Sequence, residues 1–132
     1  LPQKPTAAVC WNDLVAIGGT LREPLPSPIA TSLAPAAAGL LRAQAELTSR
    51  CASALNAGTA VSRNDVAGAH LAFTQTFSGL RQSGEMRALD FNAVGRTFGL
   101  AFTLDNLHRD LTDLADRIDE IATGIPERTA TP

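Results

Sequence analysis

Between Leu100 and Ile125 eight aliphatic residues recur at alternating steps of four and three: Leu100, Leu104, Leu107, Leu111, Leu114, Ile118, Ile121 and Ile125. A strand cannot keep that row on one face, because its side chains alternate with a period of two; a helix of 3.6 residues per turn holds it as one stripe. Sustained over more than three heptads, the row requires a long helix and something to cover its apolar seam. Asp90 stands where an N-cap belongs, and Gly124 with Pro126 ends the pattern. The helix they bracket has about 33 residues and a length of ~50 Å at 1.5 Å per residue.

Polar residues fill the other faces of its second half. From Asp105 to Glu120 there are six acids and two arginines, a balance of −4. Asp105–Arg109 and Asp113–Arg117 stand four apart with the acid first, the favourable order. The first half adds Phe91, Val94, Phe98, Ala101 and Phe102 on further faces. This distribution places the first half inside a bundle and leaves the second half single-sided. Projecting beyond the shorter helices, the seam Leu104, Leu107, Leu111, Leu114, Ile118 and Ile121 is the expected interaction surface, used for antiparallel self-association or for docking on a basic partner surface or another domain; the alternative is that the N-terminal helix folds back along it.

The remaining chain also reads as helix. Thr6 suits the N-cap of a short helix over 7–17 carrying Val9, Trp11, Leu14, Val15 and Ile17, which Gly18-Gly19 ends. The run Glu23-Pro24-Leu25-Pro26-Ser27-Pro28 reads as a stiff extended linker. A helix over about 36–57 follows, with Pro35 in its first turn and apolar steps at Leu33, Ala37, Leu40, Leu47, Cys51 and Ala54. Leu41, Ala45, Ala52 and Leu55 form a second stripe on it. Another helix covers 64–82, capped by Asn64 or Ser62, with Val66, Ala69, Phe73, Phe77 and Leu80 inward and Ser83-Gly84 as its end. The expected fold is all-α, a bundle of about four helices with one long C-terminal amphipathic helix. Its parts are 1–26, a short helix and Pro-rich linker; 27–126, the bundle; and 127–132, a polar tail.

At 132 residues the chain fits one domain, and 45% hydrophobic residues suffice for a core. Aromatics make up only 5%, without Tyr, which favours close helix packing over sheets. Eleven Lys and Arg are scattered against thirteen acids, so the basic stripe of a nucleic-acid partner is missing. The longest uncharged run, between Glu23 and Arg42, is interrupted by Pro24, Pro26, Pro28 and Pro35, so no membrane span is expected. The chain opens on Leu1, which fits a processed leader or a piece of a longer protein.

Candidate chemistry is sparse. Cys10 and Cys51 lack zinc-site spacing and read as two free thiols, a disulfide being the alternative. His108-Arg109-Asp110-Leu111 matches the start of a kinase catalytic loop, but Ala115 stands where that loop needs Asn, and the segment lies within the heptad helix. His70 falls beside the Phe73/Phe77 face as a part-buried, hydrogen-bonded residue, and His108 flanks the seam. Asp110, Asp113 and Asp116 form an acidic row that reads as a solvated face. Gly95 and Gly99 permit close approach of a neighbouring helix. No catalytic, cofactor-binding or metal residue is assigned, and the chain reads as a non-enzyme.

The segment Arg96-Thr97-Phe98-Gly99-Leu100-Ala101-Phe102-Thr103-Leu104-Asp105-Asn106-Leu107-His108-Arg109-Asp110-Leu111-Thr112-Asp113-Leu114 resembles a stretch of bacterial fusaric-acid-resistance/aromatic-acid-exporter (FUSC-type) proteins, where Phe-Ala-Leu-Glu-Gln-Leu precedes Asn and Asp-Leu. Asp105-Asn106 replaces the usual Glu-Gln, and Asp110 the common Asn. The resemblance implies a soluble helical domain of an inner-membrane efflux transporter, on its cytoplasmic side, serving assembly or packing against other transporter domains. A free-standing helical adaptor or chaperone-like protein and a small-ligand sensor bundle are the alternative readings.

Overall fold

The structure, a computed structural model, describes residues 25–124. Among them three α-helices and a 3-10 turn follow one another without a strand: α1 (Ser27–Ala57), α2 (Asn64–Ser83), the turn Glu85–Ala88, and α3 (Phe91–Thr123). The all-α expectation holds, with three helices in the described part rather than about four. The helix expected over 7–17 with its Thr6 cap, Cys10, Ile125 and the tail 127–132 lie outside the described residues.

Helix α1 departs most from expectation. It begins at Ser27, nine residues before position 36, so Ser27 and Pro28, expected in the linker, open the helix and Pro35 lies inside it. Pro35 has no N–H for the carbonyl of Thr31, a loss of about 3 kcal/mol in a helix interior. Both residues lie on the solvent side, where water can take that carbonyl. Ile29 and Leu33, both fully buried, anchor the turns ahead of the proline, and burial of each contributes roughly 1.5–3 kcal/mol. Packing therefore overrides the local stop.

The termini of the other elements follow their local chemistry. Asp90 Oδ1 accepts the Ala93 N–H at 2.7 Å and caps α3. Gly58 and Gly84, with φ of 68° and 81°, close α1 and α2 in the left-handed conformation that glycine adopts without strain. Helix α2 starts without the side-chain cap expected of Asn64 or Ser62; Arg63 occupies the N-cap position.

Cross-links fix the topology. His70 and Phe77 of α2 touch Asp105 and Phe98 of α3, so these two run antiparallel. Gln44 of α1 reaches Leu104, and the residues after α1 reach Asp116 and Asp119, so α1 and α3 run parallel. The bundle is up-down-up. Ile29, Leu33, Leu40 and Leu47 of α1 meet Val66, Phe73 and Leu80 of α2 and Leu100, Leu104, Leu107, Leu111, Ala115 and Ile118 of α3 in one core. Gln44 takes a core position between Leu40 and Leu47, 2% exposed, and its Nε2 donates to the Leu104 carbonyl at 3.2 Å.

The connection between α1 and α2 is pinned to α3. The Val61 N–H donates to Asp119 Oδ1 at 2.8 Å, while Arg63 pairs with Asp116 and, through Nη1 at 2.8 Å, with Asp119 Oδ2. The Val61 N–H and the Arg63 guanidinium hold the Asp119 carboxyl below the usual carboxylate range. Burial works against the Arg63 charge, but Asp119 and Asp116 outweigh it and raise its pKa. Val61 itself is buried. This clamp extends the cover of α3 beyond the end of α1.

Candidate functional site

The seam expected to carry contacts lies largely inside the chain. Leu104, Leu107, Leu111 and Ile118 are buried, Leu114 is part-buried against the core, and only Ile121 is exposed, at 57%. The reason is length. At 31 residues α1 nearly matches the 33 of α3, and with the Val61–Arg63 clamp it covers the seam as far as Ile118. The projecting acidic half inferred from a shorter α1 is corrected accordingly.

The first half of α3, expected to be internal, is divided: one side is buried in the bundle and its phenylalanines lie outside. Ala93, Thr97 and Leu100 take the inward positions there. Phe91, Phe98 and Phe102 are 90%, 42% and 69% exposed. Gly95 falls between them on the same side, since steps of four, three and four keep one helix face. Phe98 is held from α2: Phe77 meets it edge-to-face with centroids 5.3 Å apart, and the Arg81 guanidinium lies 5.8 Å from its ring centre. Phe73 stacks behind Phe77 and is buried. The outcome is an aromatic face along the α2/α3 junction.

That junction continues into a polar cleft of about 280 Å³ lined by His70, Asp105, His108, Arg109, Thr112 and Asp113. The His70 and His108 rings stack with centroids 3.8 Å apart and planes 2° from parallel. His70 Nε2–H donates to Asp105 Oδ1 at 2.8 Å, and Arg109 reaches the other oxygen of that carboxylate at 3.3 Å. Burial and the neighbouring His70 ring lower the His108 pKa from 6.5, with Asp105 opposing. The part-buried, hydrogen-bonded His70 agrees with the sequence reading. The stack does not appear in it, because His70 and His108 meet only through the antiparallel register of α2 and α3.

Most polar groups of the cleft are paired within the chain, whereas His108 Nδ1 is buried without a hydrogen-bond partner. The cleft's one lining hydroxyl, on Thr112, donates to the His108 carbonyl at 2.8 Å rather than to an imidazole, so no nucleophile is paired with a base there. The acidic row is split: Asp116 belongs to the Arg63 clamp and Asp113 to the cleft. Among the described residues no group of three or more His, Cys, Asp or Glu side chains is placed to hold a metal ion. Cys51 is a buried free thiol whose pKa is pushed up by burial. Of the two ion pairs expected on α3, Asp105–Arg109 forms, whereas Arg117 reaches Glu120 at 3.2 Å.

No described helix is long and apolar enough to cross a membrane. Comparison with family models, with curated proteins and with solved structures gives no match to this chain.

Proposed function

We propose that this chain is a non-catalytic helical packing module whose working surface is the aromatic face of α3. One observation carries the reading. Phe91, Phe98 and Phe102 stand outside the buried core, and an exposed aromatic stripe of this kind marks a contact surface. The resemblance of residues 96–114 to FUSC-type exporters sets the module on the cytoplasmic side of an inner-membrane efflux transporter, where it serves assembly; the same segment carries Phe98 and Phe102.

The test is site-specific photo-crosslinking from position 102 in the native gene product, in its own cells. The reading expects adducts that sediment with the inner membrane. Adducts confined to the soluble fraction overturn the exporter assignment. No adduct from position 102, with adducts from Ile121 instead, overturns the choice of face.

A further inference from the structure

The stripe Phe91, Gly95, Phe98, Phe102 is symmetric about its own middle. Phe91 and Phe102 lie equally far from the level of residues 96 and 97, and Gly95 and Phe98 flank that level equally closely. All four positions are exposed. A Cβ at Gly95 would meet nothing within 4 Å. The stripe is thus a ridge of rings with a notch in it, about 16 Å from Phe91 to Phe102 at 1.5 Å per residue.

A two-fold axis through that midpoint lays one α3 antiparallel on another. It sets Phe98 of each copy over the Gly95 notch of the other, and Phe91 of each against Phe102 of the other. Such self-complementarity is what an isologous interface requires. The missing side chain at Gly95 lets the helix axes approach to the short end of the 8–10 Å range usual for packed helices.

Charges beyond the two ends of the stripe obey the same operation. Exposed Glu85 and Arg87 stand in the 3-10 turn before Phe91; exposed Asp105 and Arg109 follow Phe102. Antiparallel pairing carries Arg87 toward Asp105 of the other copy and Glu85 toward Arg109, opposite signs in both cases. A parallel pair would set Asp105 against Asp105 and stack two acidic halves on each other.

We infer that the occupant of this face is a second copy of this chain, docked antiparallel through Phe91, Gly95, Phe98 and Phe102. The inference rests on the proposed reading of the aromatic stripe as a contact face and names its partner. The leucine seam takes no part, since α1 and α2 already cover it.

Sedimentation velocity of the full 132-residue chain across the micromolar range gives the first readout, a concentration-dependent dimer. Gly95→Leu fills the notch from the solvent side while favouring helix over glycine. It should keep helicity and weaken the dimer at least about tenfold, as an overfilled contact does. Disulfide trapping reads the register, with Cys10→Ser as background and buried Cys51 left in place. Phe91→Cys mixed with Phe102→Cys should cross-link, as should Gly95→Cys mixed with Phe98→Cys, while Phe91→Cys alone or Phe102→Cys alone should not. A strict monomer overturns the inference and leaves the packing role standing with another domain as occupant. A dimer that Gly95→Leu leaves intact, or one trapped through Phe91→Cys alone, overturns it as well.

Discussion

Gln44→Leu should stabilise the bundle, although it deletes a hydrogen bond from a core side chain of α1 to the backbone of α3. Gln44 is 2% exposed, its Nε2 donates to the Leu104 carbonyl, and its Oε1 is buried without a partner. The Leu104 carbonyl keeps its own bond within α3, so losing the amide removes a net contribution of only about 1 kcal/mol. Removing the unpaired Oε1 recovers about 1–3 kcal/mol of desolvation, and the leucine adds apolar burial at about 0.8 kcal/mol per methylene. The balance is a gain of roughly 1–2 kcal/mol, or about 5–10 °C in Tm for a bundle of this size. Urea unfolding followed by far-ultraviolet circular dichroism measures it. A loss above about 1 kcal/mol would refute the reasoning, showing that Gln44 holds the register of α1 on α3 more strongly than its single bond implies.

Three further outcomes follow from the same contacts. Leu111→Ala, at a buried seam position, should cost roughly 2–5 kcal/mol in chemical denaturation, and Asp113→Ala on the exposed side well under about 1 kcal/mol; equal losses would mean the faces are misassigned. His108 has a folded pKa below 6.5, so the unfolded chain takes up its proton first. Its contribution to stability is full above pH 6.5 and is lost as pH falls through 6.5 toward the folded value; a Tm profile that His108→Gln does not flatten in that window would contradict the stacked site. Asp119→Asn weakens both holds on the α1–α2 connection and should speed hydrogen exchange at the Val61 amide, with the Ala93 amide at the Asp90 cap as an unchanged control.

The ends of α3 and the closures of α1 and α2 were legible in the sequence: Asp90, Gly58, Gly84 and Gly124 act through local backbone chemistry that spacing alone reveals. The start of α1 was not, because Pro35 signals a boundary locally and only the tertiary burial of Ile29 and Leu33 overrides it. Of the residues expected inside the bundle in the first half of α3, Ala101 packs against the core, whereas Phe91, Phe98 and Phe102 are exposed. Read backwards from Leu100, the seam continues to Thr97 and Ala93, and both are buried. Thr97 satisfies its hydroxyl on the Ala93 carbonyl at 2.8 Å, so a polar residue takes the inward position while Phe98 beside it faces out. Period carried the information there, and hydrophobicity obscured it. The histidine stack needed the register of two helices, which no single segment contains.

The central claim is that α3 turns its leucine seam inward and its aromatic stripe outward. Leu104, fully buried, and Phe102, 69% exposed, lie two residues apart on opposite sides of the helix. Thermal melts of Leu104→Asp and Phe102→Asp, followed by far-ultraviolet circular dichroism at low concentration, test it most directly. The account predicts that Leu104→Asp abolishes the cooperative transition, because an unpaired carboxylate cannot be buried in that core, while Phe102→Asp melts within a few degrees of the parent chain. Loss of the fold in Phe102→Asp with Leu104→Asp intact would contradict it.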